Sequence, residues 1–213
     1  VAAESGQKVL ELGCGNGVAL CCLLYRVSGL EVFGVEMDKR AADLCKRNID
    51  LNMFKATIFN INIANTIREL KSVSFDHVFM NPPYFKQNSV KESHILSSHQ
   101  ARVESMPLSA WISVAKNRCK PNGKITIIQR VERLPDIIKC LNGYFGQVTV
   151  QPISSFKDTS PKTVIVQATK TSGAAFKLLA PKIVHRRDGI SGKVVYEDEF
   201  KKILRYGHPL QLN

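Results

Sequence analysis

The chain has 213 residues, and 30 lysines and arginines against 18 acidic residues give it a formal charge of +12. This length allows a substantial core, and the 44% hydrophobic and 23% charged shares exclude a disordered chain or a disulfide-stapled miniprotein. The sequence contains neither an apolar run near the roughly 18 residues that cross a bilayer nor a recognisable signal peptide. The positive charge favours a polyanionic partner, with nucleic acid first.

Short β-branched runs alternate with longer amphipathic segments along most of the chain. The first half predicts strands over Lys8–Leu12, Glu31–Glu36, Ala56–Ile61 and Phe75–Met80, and helices over Val18–Arg26 and Lys39–Asn52. The second half predicts a helix over Leu108–Cys119, a turn over Lys120–Gly123, a strand over Lys124–Gln129, a helix over Arg133–Asn142, and strands over Val148–Gln151 and Thr163–Lys170. This order predicts an α/β fold with a mostly parallel, seven-stranded sheet, helices on both faces, and an antiparallel hairpin at one edge.

Two segments fall outside this alternation. Tyr84–Pro107 lacks clear periodicity, and irregular segments of that length are usually functional or mobile. Residues 172–213 are expected to form a C-terminal extension, with a helix over Tyr196–Tyr206, packed on a single domain that spans residues 1–213. Since the chain opens at Val1 and enters a strand almost at once, we expect N-terminal elements to be missing.

The six cysteines show no C-x-x-C pair and no metal-like spacing with histidine. Buried free thiols in a reducing cytosol are the simplest interpretation, so we expect a cytoplasmic protein without a metal site.

The first chemical signal is a glycine loop between the first strand and the first helix. Gly13, Gly15 and Gly17 allow a ligand to approach the backbone closely, and the helix N–H groups face the same edge of the sheet. The spacing is G-x-G-x-G, and Val18 occupies the place where a dinucleotide fingerprint requires its last glycine. The loop therefore favours a nucleoside ligand other than a dinucleotide.

An acidic residue ends the second strand. Glu36 stands where a carboxylate can accept both hydroxyls of a ribose. The alternative is a cap for the helix that starts near Lys39, a role that Asp38 fills equally well.

Asn81-Pro82-Pro83-Tyr84 follows the fourth strand at the same edge. The two prolines stiffen the loop, so that the Asn81 side-chain oxygen and the Pro82 carbonyl can converge on one planar amino group. Tyr84 offers a ring face for a flat substrate. We therefore expect Asn81 to face the cleft between Gly15 and Glu36 rather than solvent.

The ELGCGNG loop, the GVEMD segment and the NPPYF segment together resemble a class I S-adenosylmethionine-dependent methyltransferase of the amino-group type. Within that superfamily the chain resembles the bacterial family that methylates the exocyclic amine of adenine beside the anticodon of valine tRNA. The similarity extends to the ARVE, WI and KPNG segments and to the tail, where IVH and YEDEF match the family's ending. The resemblance implies a Rossmann-like fold, S-adenosylmethionine as cofactor and tRNA as partner.

The resemblance also implies roles for individual residues. The cofactor-binding set comprises Glu11, Gly13, Gly15, Gly17, Glu36, Met37, Asn62 and Asn81. Asn62 departs from the family, which usually has an acid there to meet the adenine amine of the cofactor. Asn81, Pro82 and Tyr84 are the expected catalytic residues, and the expected substrate-binding residues are Pro83, Phe85, Lys86, Arg102 and Arg130.

Further basic residues are candidates for contact with RNA. They are Lys91, His94 and His99 in the long loop, Arg133 after the fifth strand, and Lys182, Arg186 and Arg187 in the tail. For each of them, the alternative is an ordinary solvated cation.

The NPPY pattern leaves other functions open, since it fixes the reaction better than the substrate. Adenine-specific DNA methyltransferases and enzymes that methylate release-factor glutamine share it. A catalytically silent cofactor-binding scaffold is a further alternative, while a dehydrogenase is disfavoured because NPPY has no role in hydride transfer.

Overall fold

The structure, a computed structural model, describes residues 1–65, 70–83, 106–189 and 191–212. Its strands are β1 (Lys8–Leu12), β2 (Glu31–Glu36), β3 (Thr57–Asn60), β4 (Phe75–Met80), β5 (Cys119–Arg130), β6 (Phe145–Ser154), β7 (Thr163–Lys170), β8 (Lys177–Leu178), β9 (Lys182–Ile183), β10 (His185–Arg187) and β11 (Val194–Tyr196). Its helices are α1 (Val18–Arg26), α2 (Lys39–Leu51), α3 (Leu108–Arg118), α4 (Leu134–Leu141) and α5 (Asp198–Tyr206). None of the helices in these ranges has the length and apolar character needed to span a membrane.

The main sheet has the strand order β3-β2-β1-β4-β5-β7-β6, with the two-residue strands β8 and β9 beside β6. The pairs β1–β2, β1–β4, β2–β3 and β4–β5 are parallel, and β7 runs antiparallel to both β5 and β6. The predicted Rossmann-like, mostly parallel sheet with an antiparallel hairpin is therefore confirmed. The strand order reverses between β1 and β4, and open α/β sheets bind ligands at such a switch point.

Apolar side chains on the two faces of the sheet form two separate cores. On one face, Leu10 and Leu12 of β1 pack with α3 and α4, including Trp111 and Ile137. On the other face, Val9 packs with α1 and α2. Because successive strand residues point to opposite faces, a single strand supplies both cores, and helices cover both sides as expected.

The ends of several elements differ from the sequence-based boundaries. Cys119 pairs with Phe75, and the next pair joins His77 to Lys124, so the predicted Lys120–Gly123 turn is a bulge inside β5. Asn122 adopts a φ of +60° in this bulge. Turn residues therefore do not end the strand here, because its pairing with β4 resumes after the irregularity.

The tail contains more strand than expected. Val194–Tyr196 forms β11 and pairs antiparallel with β10, so α5 begins at Asp198, two residues later than predicted. Ala180 accepts a 2.7 Å hydrogen bond from the buried Gln151 of β6. The ring of Tyr25 in α1 lies so close to Gly207 that a Cβ there would be 2.8 Å from it. The tail therefore contacts both the sheet and α1.

Candidate functional site

The glycine loop is fixed by hydrogen bonds at the carboxyl end of β1. The N–H groups of Gly13 and Cys14 both donate to the Val35 carbonyl, at 2.8 and 3.0 Å. Gly13 has a φ of +71°, and a Cβ there would lie 2.8 Å from Cη2 of Trp111. Gly15, with a φ of +53°, has open space where its Cβ would be. The loop therefore packs against the core at Gly13 and leaves room for a ligand at Gly15.

Glu36 binds this loop directly. Its Oε2 accepts from the Gly15 N–H at 2.9 Å, and its Oε1 accepts from the Asp38 N–H at 2.8 Å. Asp38 itself caps α2, since its Oδ1 accepts from the Ala41 N–H at 2.8 Å. The helix cap is thus supplied by Asp38, and each Glu36 oxygen retains a lone pair for a ligand hydroxyl.

Asn60, at the end of β3, holds the segment that follows Glu36. Its Nδ2 donates to the carbonyls of Glu36 and Met37, at 3.0 Å each. The Asn62 Nδ2 lies 3.4 Å from the Met37 sulfur, while the Asn62 Oδ1 accepts from the Ala64 N–H at 2.8 Å. Asn62 and Met37 are therefore neighbours, as an adenine-binding pair requires, and the Asn62 oxygen retains one acceptor site.

Glu11 is buried beneath the loop, with 4% of its surface exposed. Its Oε2 has no hydrogen-bond partner. Burial raises the pKa of Glu11 well above its usual range, and the proximity of Cys45 and Glu36 raises it further. Within the described ranges, no lysine or arginine forms an ion pair with Glu11 or Glu36. Two neighbouring carboxyls and an unpartnered buried oxygen fit a cationic ligand that carries hydroxyl groups.

Asn81 begins the loop after β4, beside the glycine loop. Leu12 and Met80 are register partners on adjacent parallel strands, so Gly13 and Asn81 leave the same edge side by side, about 5 Å apart in strand spacing. Asn81 is exposed to solvent, so the expectation that it faces the cleft rather than solvent was wrong in that respect, and its orientation toward Gly15 and Glu36 stays a prediction. A polar group that is to meet a substrate has to be accessible before the substrate binds.

Gln129, near the end of β5, holds the double proline. Its Nε2 donates to the carbonyls of Pro82 and Pro83, at 3.2 and 3.3 Å. The carbonyl that sequence analysis assigned to a substrate amine thus already accepts one hydrogen bond. Gln129 and Pro82 are both buried, and Pro83 is half-buried.

Several predicted site residues lie outside the described part of the chain. They are Tyr84, Phe85, Lys86, Lys91, His94, His99 and Arg102.

The basic candidates that the structure describes have different surroundings. Arg130 pairs with Glu132 at 3.2 Å and remains half exposed. Arg133 is 7% exposed and forms an ion pair with Asp136. It is therefore a buried side chain, whereas sequence analysis listed it as a candidate for contact with RNA at the surface. In the tail, Lys182 bonds Glu199 at 2.6 Å, Arg186 lies 3.6 Å from Glu197 and 3.7 Å from Asp198, and Arg187 is exposed.

Three aromatic rings, called the ring stack from here on, lie together in this region: Tyr196 stacks on His185, and Phe156 is tilted by 39° against His185. The His185 ring lies 4.9 Å from Tyr196 and 5.7 Å from Phe156, measured between ring centroids. The His185 N–H bonds the Ser155 carbonyl just beyond the carboxyl end of β6. Because β6 runs in the same direction as β1 and β4, this ring stack lies at the same edge of the sheet as the glycine loop and Asn81. Tyr196 keeps 45% of its surface exposed.

All six cysteines are free, but only Cys14, Cys45 and Cys119 are buried, and Cys22 is exposed. The expectation of uniformly buried thiols was therefore wrong for Cys22, which lies on the outer side of α1. Across the described ranges, His, Cys, Asp and Glu side chains form no group that could hold a metal ion.

Sequence analysis missed three residues that support the site. Asn60 and Gln129 are described above, and the Asn48 Nδ2 of α2 donates to the Asn16 carbonyl of the loop at 2.8 Å. Asparagine and glutamine occur in many roles, and these contacts span up to 47 residues of sequence. Only the Asn60 position carried a signal, because it ends the strand beside Glu36.

Known proteins resemble this chain in both sequence and fold. Residues 1–156 match the family model of the methyltransferase small domain. The chain belongs to this methyltransferase family. The tRNA1(Val) (adenine(37)-N6)-methyltransferase of Porphyromonas gingivalis is 27% identical over 137 residues, which cover 62% of this chain and 52% of that protein. The chain spans between 32% and 58% of the length of eight curated relatives that it matches.

Solved structures share the methyltransferase fold. A protein of Agrobacterium tumefaciens described as a predicted O-methyltransferase superposes with a TM-score of 0.77 at 22% identity, over 97% of this chain and 92% of that chain. A 16S rRNA N2 methyltransferase of T. thermophilus, in complex with AdoMet and guanosine, gives a TM-score of 0.52 at 22% identity, over 78% and 38%. At this identity the similarity establishes the fold alone.

Proposed function

We propose that this chain transfers a methyl group from S-adenosylmethionine to the exocyclic amine of adenine in tRNA. The observation that carries the proposal is the adjacency of Gly13 and Asn81, which follow register partners on β1 and β4. A nucleoside-binding loop and an amine-binding loop thereby leave one edge of the sheet together, as transfer between two bound molecules requires.

The cofactor half of the site is assigned to the glycine loop and the strands beside it. Glu36 would accept the ribose hydroxyls, Met37 and Asn62 would contact the adenine, and Glu11 would face the methionine amine. The unpartnered Glu11 oxygen and the open space at Gly15 support this assignment. When bound there, S-adenosylmethionine supplies an electrophilic methyl group carried on a positively charged sulfur.

The acceptor half is assigned to Asn81 and Pro82. An aromatic amine is a weak nucleophile because its lone pair is delocalised into the ring. When the Asn81 Oδ1 and the Pro82 carbonyl each accept a hydrogen bond from one N–H of this amine, they favour a pyramidal nitrogen whose lone pair is free to react. These hydrogen bonds strengthen as positive charge develops on the nitrogen, so they bind the transition state more tightly than the ground state. Pro82 retains a lone pair for this purpose, since Gln129 uses only one.

The name of the P. gingivalis relative and the charge of +12 support a tRNA substrate. A surface on the tail supports it as well. This tail surface is formed by the ring stack of Phe156, His185 and Tyr196 together with Arg187, which lies two residues from His185 on β10, and we assign it to RNA. Exposed rings stack on unpaired bases and arginines bind phosphates, which is how proteins commonly hold single-stranded RNA.

The proposal is tested by supplying labelled S-adenosylmethionine with bulk tRNA, duplex DNA and release factor in parallel reactions. We expect label in tRNA, and nucleoside mass spectrometry of the product should show N6-methyladenosine. Label only in release factor would make the enzyme a protein-glutamine methyltransferase, and label only in DNA would make it a DNA methyltransferase. A protein that binds S-adenosylmethionine in calorimetry but labels none of the three substrates would be a silent scaffold, and one that binds no S-adenosylmethionine would not be a methyltransferase of this kind.

A further inference from the structure

The double proline of the acceptor loop interrupts the backbone hydrogen bonds between β4 and β5, so a side chain has to supply the missing donors. Met80 of β4 is the last register partner of β5, opposite Ile127. Beyond it the chain continues as Pro82 and Pro83, and the stiff loop leaves β4. Two carbonyls in this loop are buried or half-buried and require donors outside the regular ladder.

Gln129 supplies both donors. It lies two residues beyond Ile127, just as Pro82 lies two residues beyond Met80, so the two positions continue the same register. One N–H of the amide donates to each carbonyl, at 3.2 and 3.3 Å. The amide oxygen accepts from the Arg130 N–H at 2.8 Å. The three polar positions of this buried amide are all satisfied, which fixes its orientation.

We propose that Gln129 is a positioning residue for methyl transfer: its buried amide fixes the Pro82 and Pro83 carbonyls and thereby orients the acceptor pair formed by Asn81 and Pro82. This inference rests on the proposed function. Gln129 has no surface exposed, so it acts through the loop and does not touch the substrate. Pro82 links the two, because it carries both the carbonyl that Gln129 binds and the ring that restricts the backbone of Asn81.

A neighbouring glutamine provides a closely matched control. Gln151 of β6 is also fully buried, and its Nε2 likewise donates to two carbonyls, those of Pro152 at 3.1 Å and Ala180 at 2.7 Å. These carbonyls belong to β6 and the tail rather than to the acceptor loop. Replacing Gln151 therefore removes two buried donors inside the sheet, as replacing Gln129 does, and leaves the acceptor loop untouched; the one difference is that the Gln151 amide oxygen has no hydrogen-bond partner.

The test compares Gln129→Leu, Gln129→Glu and Gln151→Leu, each at a temperature where the variant is folded by circular dichroism. We expect kcat of Gln129→Leu to fall about 10- to 100-fold, the scale of a displaced reacting group, with the Kd for S-adenosylmethionine unchanged. Gln129→Glu keeps the shape of the side chain, but a buried carboxyl stays protonated and can donate to only one of the two carbonyls, so its kcat should also fall, by less than that of Gln129→Leu. The Gln151→Leu variant should keep kcat within about twofold of the parent protein.

Three results would overturn the proposal: an unchanged kcat in Gln129→Leu, equal losses in Gln129→Leu and Gln151→Leu, or full activity in Gln129→Glu. Hydrogen exchange of the peptide that ends at Pro83 gives a readout that does not depend on activity, and its reporter is the Asn81 amide, because the two prolines have no N–H. Faster exchange in Gln129→Leu but not in Gln151→Leu would support the positioning role even if the parent protein methylated no tRNA. In that case the proposed function would fail and the role of Gln129 in the loop would stand; identical exchange in both variants would refute that role.

Discussion

The two halves of the site are held in different ways. In the cofactor half, Glu36 bonds the glycine loop 21 residues before it, and the loop lies between two adjacent strands. In the acceptor half, a glutamine 46 and 47 residues away in sequence ties the double proline to β5, while Asn81 remains exposed. The first half is a closed network around a recognisable motif. The second is a loop tied to β5 by one buried amide, on which Asn81, the proposed acceptor for the substrate amine, is exposed.

This contrast predicts that substitutions in the acceptor half reduce the rate and leave cofactor binding intact. Asn81→Ala should lower kcat by about 100-fold or more, because it removes a hydrogen-bond acceptor that strengthens in the transition state. Calorimetry should give an unchanged Kd for S-adenosylmethionine. Asn117→Ala, at an exposed asparagine near the end of α3, is the control and should behave as the parent protein. A kcat within a few-fold of the parent in Asn81→Ala would disprove the assigned chemistry.

Substitutions in the cofactor half should do the reverse. Both oxygens of Glu36 accept from backbone N–H groups, so either orientation of the amide in Glu36→Gln places an NH2 group against a donor. We expect the Kd for S-adenosylmethionine to rise about 10-fold or more, the scale of one lost hydrogen bond to a charged group. Asp38→Asn is the matched control, since asparagine can still cap α2 through its oxygen. Equal affinities in the two variants would argue against a ribose-binding carboxylate at Glu36.

Substitutions in the tail surface should weaken only the binding of RNA. Tyr196→Ala should raise KM for tRNA about fivefold or more, because stacking of one base on one ring contributes on the order of 1–3 kcal/mol. Neither kcat at saturating tRNA nor the Kd for S-adenosylmethionine should change. Tyr206→Ala removes an exposed tyrosine from α5, outside the ring stack, and should leave KM unchanged. If both variants have the KM of the parent protein, RNA does not use this surface.

The smallest expected effect concerns stability, at Glu11. Burial raises the pKa of this carboxyl in the folded protein, so near pH 4 it is protonated in the folded state and largely so in the unfolded chain, whose pKa is about 4.3. As the pH rises, Glu11 ionises first in the unfolded chain. The free energy of unfolding therefore falls with pH until the pKa of Glu11 in the folded protein is passed. Without ligand, Glu11→Gln should therefore lose less stability than the parent protein between pH 4 and pH 8.

Thermal melts at these two pH values provide the measurement. A free-energy difference of 1 kcal/mol corresponds to about 2–4 °C in a chain of this size. The Tm of Glu11→Gln relative to the parent protein should rise by at least that amount from pH 4 to pH 8. Parallel Tm curves would mean that Glu11 ionises normally in the folded protein.

Most of the sheet and the outline of the site could be predicted from sequence because their signals are local. The bounds of β1, β2, β4, β7 and α1 agree with prediction, since alternating or helical apolar patterns and the glycine loop mark them directly. The bulge at Asn122 could not be predicted, because a KPNG segment favours a turn and only pairing with β4 retains it in the strand. The short tail strands were missed for a similar reason, since runs of two or three residues carry no periodicity.

The sequence alone determined the family and the alternation of strands and helices, and it yielded the residues that we propose for binding a nucleoside and an amine, because each of these depends on residue type within a short segment. Tertiary structure decided which distant amides hold those residues: Asn60 behind Glu36 and Gln129 behind Pro82. It also left Glu11 buried with one oxygen unpartnered. Buried hydrogen bonds depend on which strands become neighbours, and the order β3-β2-β1-β4-β5 brings together residues that are far apart in the chain.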